Sequence, residues 1–161
     1  MKDIVLSVRR HTALLWLMKA VSEVLRIAFI LAYAYAFHRA MLLGWVPLII
    51  LVLKTGLPFI LVSLFRRMID APRPYELYGI SGKAPRKKCG ESFPSRHVFS
   101  SFTVAVLSVT VSPILTVSLA FVGLLLAMAR VLLGMHFIRD VVCGALIGIL
   151  SGVCGLLLIV L

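Results

Sequence analysis

Charged residues are scarce in this sequence and unevenly placed. They make up 14% of the chain, whereas an average soluble domain has about a quarter. The stretches Val98–Ala129 and Val141–Leu161 contain no charged residue, and only Lys54 interrupts Met41–Phe65. Apolar runs of ~18 residues or more predict membrane-spanning helices. A chain of 161 residues cannot hide so much apolar surface in a soluble core, which excludes a soluble domain.

Cysteine and acidic residues are also few. The three cysteines, Cys89, Cys143 and Cys154, lack metal-ligand spacing and predict neither a disulfide framework nor a zinc site. The chain has six Asp and Glu residues and 17 Lys and Arg residues, so its net charge is +11. Such an excess is common in nucleic-acid-binding proteins, but here the basic residues border apolar spans. We therefore expect membrane lipids and a phosphorylated substrate as partners, and no nucleic acid.

The apolar runs predict an all-α, polytopic transmembrane helix bundle of about five spans in a single domain, residues 1–161. The predicted spans cover residues 12–38, 45–66, 95–111, 114–133 and 137–161, with a short connection at His38–Gly44. Residues 1–26 are mixed, and they could lie on the membrane or form the polar end of a long first helix. Because no Gly or Pro interrupts residues 12–38, we predict one continuous helix there.

Alternating crossings place the end of span two, the start of three, the end of four and the start of five on one side of the membrane. Most of the unusual polar residues lie at those four places. They are Arg66, Arg73, Ser95, Arg96, His97, Arg130, His136 and Asp140. Ionisable residues in such positions are costly and mark functional sites, so we predict an active site at one membrane face.

These residue types suit phosphate chemistry. The planar fork of arginine donates paired hydrogen bonds to phosphate and stays charged. Ser95 follows Pro94 as a predicted N-cap, so free backbone N–H groups would favour an anion near His97. His136 and Asp140 are four residues apart, and on a helix the carboxylate could orient the imidazole. An imidazole held through one nitrogen leaves the other free to attack phosphorus.

Three motifs in this set resemble those of the type 2 phosphatidic acid phosphatase superfamily. That family is marked by Lys-x6-Arg-Pro, Pro-Ser-Gly-His and Ser-Arg-x5-His-x3-Asp. The chain has Arg66-x6-Arg73-Pro74, Pro94-Ser95-Arg96-His97 and Ala129-Arg130-x5-His136-x3-Asp140, in the family's order. Here Arg66 replaces Lys, Arg96 replaces Gly and Ala129 replaces Ser, and the change at Arg96 bears on substrate shape. The family's membrane members usually have six spans, against the five counted here.

The resemblance implies a role for each residue. His136 would be the nucleophile that forms a phosphohistidine, Asp140 would orient it, and His97 would protonate the leaving oxygen and then activate water. The residues implied to hold the phosphate oxygens are Arg66, Arg73 and Arg130, with Ser95 and the backbone N–H of Arg96 completing the cradle. The resemblance implies no metal and no cofactor.

The implied activity is that of a lipid-phosphate phosphatase acting on a phosphomonoester or a diphosphate lipid. Candidate substrates are undecaprenyl diphosphate, phosphatidylglycerophosphate, phosphatidic acid and a lipid A phosphate. The alternative is a catalytically silent lipid-phosphate binding or transport protein on the same fold, although the intact set of His97, His136 and Asp140 argues against it. Loss of bound lipid phosphate over time would distinguish the two.

Two arguments give opposite membrane orientations. The family usually faces the extracytoplasmic side, whereas Lys2, Arg9 and Arg10 lie on the active-site side and would make it cytoplasmic by the positive-inside rule. Because several basic residues are expected to bind phosphate, we predict an extracytoplasmic active site in a bacterial plasma membrane. Labelling of a Lys83→Cys variant in intact cells, with the native cysteines removed, would test this.

Other polar residues have plainer interpretations. We expect His11 and His38 to be structural, and Arg67 and the Lys83–Lys88 run to face water and lipid headgroups. Lys54 lies inside a span, where it could pair with Glu23 or extend towards the membrane surface.

Overall fold

The computed structural model describes residues 2–79 and 89–160. Within these ranges every regular element is helical, which confirms the predicted all-α fold. The helices are α1 (Lys2–Arg10), α2 (Thr12–Leu43), α3 (Trp45–Ile69), α4 (Pro74–Leu77), α5 (Arg96–Leu107), α6 (Pro113–Leu132) and α7 (Ile138–Val160), and a 3-10 turn, Ser108–Thr110, follows α5. The Lys83–Lys88 run, with the labelling position Lys83, lies outside the described residues.

The first long helix, α2, runs further than predicted. It is continuous from Thr12, as the absence of Gly and Pro indicates, but it does not end near residue 38. The predicted connection at His38–Gly44 is wrong, because the helix continues to Leu43 and Gly44 alone separates α2 from α3. The φ of +115° at Gly44 is a conformation that favours glycine. Extended backbone at His11 sets α1 apart as a separate helix, which the sequence did not predict.

The third predicted span is shorter than expected. Helix α5 ends at Leu107 rather than near residue 111, so at helical rise it covers about 18 Å, less than the ~30 Å hydrocarbon core. Among the described residues, three segments are long and apolar enough to cross a membrane, fewer than the five predicted. They are Trp45–Leu77, Pro113–Leu132 and Ile138–Leu157.

The outside of the bundle is apolar. Large side chains such as Trp45 (79% exposed), Ile114 (79%) and Val117 (70%) point away from the protein. An apolar surface of this extent is unfavourable in water but is well solvated by lipid tails. The chain is therefore an integral membrane protein.

Helix α5 packs against α7 along a stripe of small residues. Gly144, Gly148 and Gly152 recur every four residues, so they share one face of α7. A Cβ atom added at Gly144 would lie 2.6 Å from the Ser95 carbonyl oxygen, and one at Gly148 would clash with that of Phe99. Glycine is required where helix backbones approach so closely. The starts of α5 and α7 are thereby held side by side.

Candidate active site

A polar cavity of about 320 Å³ lies at the end of the bundle where α3 and α6 finish and α5 begins. Six of the eight predicted site residues line it: Arg66, Arg73, Arg96, His97, Arg130 and His136. The other two, Ser95 and Asp140, are fully buried and are not among the lining residues. The structure thus brings the predicted set together at one end, where the alternation of helices places it.

His136 lies in the turn between α6 and α7 and is only 2% exposed. Its Nδ1 atom is 2.9 Å from the carbonyl oxygen of Ser92. Because a carbonyl oxygen can only accept a hydrogen bond, Nδ1 carries the proton and Nε2 keeps its lone pair. The nitrogen suited to nucleophilic attack is therefore Nε2.

Asp140 is close to His136, but not through a shared helix face. Helix α7 begins at Ile138, so His136 precedes it, and Asp140 Oδ2 is 3.7 Å from His136 Nδ1, too far for a hydrogen bond. The same oxygen accepts hydrogen bonds from Ser92 Oγ at 2.5 Å and from the Phe137 backbone N–H at 2.9 Å. Asp140 thus fixes the two chain segments that hold the imidazole.

The protonation state of His136 follows from its surroundings. Burial lowers the pKa of His136 from its ordinary value of 6.5, while the neighbouring Asp140 carboxylate partly opposes this effect. The net shift is downward, so the imidazole is neutral at neutral pH. A neutral ring keeps the Nε2 lone pair that nucleophilic attack requires.

Ser92 is a site residue that sequence reasoning missed. It is fully buried, its carbonyl accepts from His136 Nδ1 and its hydroxyl donates to Asp140. The sequence shows it only as one small polar residue in the long segment 67–94, before Pro94. Its importance depends on how the loop folds, which no spacing in a single sequence reveals.

Replacing Ser92 by alanine should lower kcat about 10- to 100-fold with little change in KM, because a lost hydrogen bond to a carboxylate costs ~1.5–3 kcal/mol. Steady-state phosphate release, the activity that the three motifs imply, measures both constants. The acid limb of the pH–rate profile should also move, since the hydroxyl links Asp140 to the imidazole. Ser118→Ala, at an exposed position on α6, is the matched control. Loss of stability with an unchanged kcat and pH profile would assign Ser92 a purely structural role.

Arg66 holds a loop, a function that the motif did not suggest. Its guanidinium donates to the backbone carbonyls of Glu91 and Pro94, and more weakly to that of Ser92 at 3.4 Å. The side chain is 3% exposed. Arg66 therefore sets the conformation of residues 91–94. It also lines the cavity, so that its binding of phosphate stays a prediction.

Arg73 is held by the same loop from the other side. Its Nε donates to the Gly90 carbonyl at 2.9 Å. The Glu76 carboxylate accepts from the Arg73 backbone N–H at 3.3 Å and from the Gly90 N–H at 2.9 Å. The loop around residue 90 and the short helix α4 are thus joined at the cavity edge. Arg130 completes this wall from α6, is 4% exposed and contacts the Met135 sulfur at 3.4 Å.

Ser95 occupies the N-cap position of α5, as predicted. Its backbone N–H donates to the Asp140 carbonyl at 2.8 Å. Its buried hydroxyl finds no hydrogen-bond partner in residues 2–79 and 89–160. The side chain of Arg96, the next residue, runs towards α3, where Nη1 is 3.4 Å from Ser63 Oγ.

A further wall of the cavity comes from the first half of α2, which the sequence predicted to lie on the membrane or to form the polar end of a long first helix, but not to line the site. Lys19, Ser22, Glu23 and Arg26 line the polar cavity, and Arg26 pairs with Glu23. The predicted alternative that Lys54 pairs with Glu23 is wrong, because Lys54 Nζ is buried with no partner in the described part of the chain. The spacing of Lys19, Glu23 and Arg26 by three and four residues indicates that they share one face of α2. It does not indicate whether that face points towards the bundle or away from it.

A second cavity of about 490 Å³ adjoins the first and extends between α2, α3 and α5. Its walls include Phe29, Ile30, Phe59 and Val104. Arg26, Arg96 and His97 line both cavities. A polar site and an apolar one therefore meet at these three residues.

Comparison with known proteins identifies the family. The model of the PAP2 superfamily matches residues 47–160. A PAP2-type phosphatidylglycerolphosphate phosphatase from Bacillus subtilis has a similar crystal structure, with a TM-score of 0.70 and 20% identity over 96% of this chain and 81% of that one. LpxE from Aquifex aeolicus has a TM-score of 0.66 and 24% identity over 91% of this chain and 87% of that one. No curated protein sequence matches. Because the family model covers well over half of the residues, including all three motifs, the chain belongs to the PAP2 superfamily.

Proposed function

We propose that this protein is a metal-independent phosphatase that removes phosphate from a membrane lipid through a phosphohistidine. One observation carries the proposal. His136, with Nδ1 committed to Ser92, shares an arginine-lined cavity with His97. A neutral imidazole with one free nitrogen, a second histidine and several fixed cations are the parts that phosphoryl transfer to histidine needs.

In the proposed reaction, His136 Nε2 attacks the phosphorus and the bond from phosphorus to the lipid oxygen breaks. His97, protonated once the phosphate anion is bound beside it, gives its proton to that leaving oxygen. Arg73, Arg130 and the start of α5 bind the phosphate oxygens while negative charge grows on them. Water, deprotonated by His97, then attacks the phosphohistidine, which releases inorganic phosphate and restores His136.

The apolar cavity supports a lipid as the substrate. It adjoins the polar cavity at His97, where the leaving group would lie. Burying hydrocarbon there contributes about 25 cal/mol for each Å² removed from water. A substrate with an apolar chain would therefore bind better than a soluble phosphate ester.

A lipid panel tests this function. The protein, purified in detergent, should release inorganic phosphate from undecaprenyl diphosphate, phosphatidylglycerophosphate or phosphatidic acid, and the rate should be unchanged in excess chelator. A soluble aryl phosphate should be a poor substrate. A rate that chelation abolishes would overturn the metal-free mechanism. Lipids that bind but stay intact would favour the silent binding or transport protein.

A further inference from the structure

The side chain of Arg96 occupies the junction between the two cavities. Its guanidinium carbon lies 5.4 Å from the centre of the Phe59 ring, and Nη1 contacts the Ser63 hydroxyl. Within residues 2–79 and 89–160, no carboxylate forms an ion pair with it. Among the described residues, no carboxylate thus offsets Arg96 at the point where the apolar and polar cavities meet.

A second wall of this junction comes from α2. Arg26 also lines both cavities, although its charge is partly offset by Glu23. Ser22, one turn earlier, lines the polar cavity and is 2% exposed. Its hydroxyl has no hydrogen-bond partner among the described residues. Buried polar groups are normally hydrogen-bonded, so an unpaired donor in the cavity wall that Ser22 shares with Arg26 and Arg96 indicates that a polar group of a ligand completes the set.

We infer that Arg96, Arg26 and Ser22 form a second anion subsite that binds the inner phosphate of a lipid diphosphate, while the outer phosphate is transferred to His136. The inference rests on the proposed function. Its physical basis is the position of Arg96 next to His97. His97, which would protonate the leaving oxygen, adjoins Arg96 in sequence and lines the same junction. A second phosphate bound there carries the leaving oxygen itself, as in a diphosphate.

The reaction on such a substrate balances without a further reactant. Nε2 of His136 bonds to the outer phosphorus, and the bond from that phosphorus to the bridging oxygen breaks. The bridging oxygen leaves with the lipid monophosphate and takes a proton from His97, and water later hydrolyses the phosphohistidine. Arg96 stabilises the charge that develops on the inner phosphate as the bond breaks. A phosphatidic acid would leave this subsite without an anion.

Binding to a variant that cannot turn over tests the subsite separately from catalysis. In the His136→Ala background, farnesyl diphosphate and farnesyl monophosphate share one chain and differ by one phosphate. Titration in detergent micelles should give about tenfold or tighter binding of the diphosphate. Adding Arg96→Met should remove most of that preference and leave monophosphate binding nearly unchanged, which also shows that the double variant is folded.

The matched control is Arg67→Met, because Arg67 is exposed on α3 and its loss changes the net charge equally. The diphosphate preference should survive this change. Equal binding of the two lipids, binding of neither, or equal losses of preference in the Arg96 and Arg67 variants would overturn the subsite. If the diphosphate preference depends on Arg96 but the wild type releases no phosphate, the proposed function fails and the subsite stands.

Discussion

Replacing His136 by alanine is expected to lower kcat for phosphate release by roughly 10³-fold or more, because the variant has no atom to form the covalent intermediate. The ring is buried and held through Nδ1, so the variant loses a nucleophile that the fold holds in position. Lipid-phosphate binding should persist, since the cations that line the cavity remain. Release of phosphate and retention of lipid, measured on one preparation, check both parts.

His38→Ala is the matched control, because His38 is exposed on α2 and belongs to none of the three motifs. Its kcat should equal that of the wild type. In the wild type, quenching with a denaturant in alkali during turnover should also trap phosphate on the protein, because the nitrogen–phosphorus bond survives alkali but not acid, and His136→Ala should trap none. Phosphate release that survives in His136→Ala would rule out the phosphohistidine mechanism.

The pH dependence of the wild type follows from the lowered pKa of His136. The imidazole attacks only when neutral, so activity is lost as the pH falls through its pKa. Because burial shifts this pKa downward from 6.5, the acid limb that His136 causes should lie below pH 6.5. A limb well above that value would show that another group controls attack.

The sequence was sufficient to predict the family, the all-α membrane fold and the end of the bundle where the polar residues meet. Those features depend on local patterns. Apolar run length predicts helices, and alternation of crossings brings Arg66, His97 and Arg130 to one end. The span count was less accurate, because two of the five predicted spans are not among the three candidate spans of the described residues. Helix α5 is too short to cross by itself, and α2 is the other.

The details that the sequence did not predict all depend on how non-local segments meet. Ser92 reaches Asp140 only because Arg66 holds the carbonyls of the loop at residues 91–94. The polar face of α2 forms a cavity wall because the helix is oriented with that face towards the inside of the bundle. Neither a loop conformation nor a helix rotation leaves a periodic signal in one sequence. The predicted shared helix face of His136 and Asp140 was wrong for the same reason, since helix α7 begins only at Ile138, two residues after His136.

Gly144→Ala is expected to destabilise the protein by about 1–3 kcal/mol, the usual cost of overpacking, and to lower kcat strongly. Its new Cβ would lie 2.6 Å from the carbonyl oxygen of Ser95, a backbone atom that cannot turn away. Moving Ser95 would stretch the hydrogen bond from its N–H to the Asp140 carbonyl. Thermal unfolding by circular dichroism in detergent, together with phosphate release, measures the two effects.

Substitutions at two other glycines distinguish an effect on helix packing from an effect on the geometry of the site. A Cβ at Gly152 would meet the Val106 side chain at 2.6 Å, about 18 Å along α7 from Asp140 at helical rise. Gly152→Ala should therefore be less stable but keep its kcat. A Cβ at Gly56 in α3 would meet no atom within 4 Å, and alanine is favoured in helices by about 1 kcal/mol, so Gly56→Ala should be at least as stable as the wild type. If Gly144→Ala lost no more activity than Gly152→Ala, the contact between α5 and α7 would support the fold alone. A loss confined to Gly144→Ala would show that the glycine stripe also sets the distance between the start of α5 and the carboxylate that holds the site together.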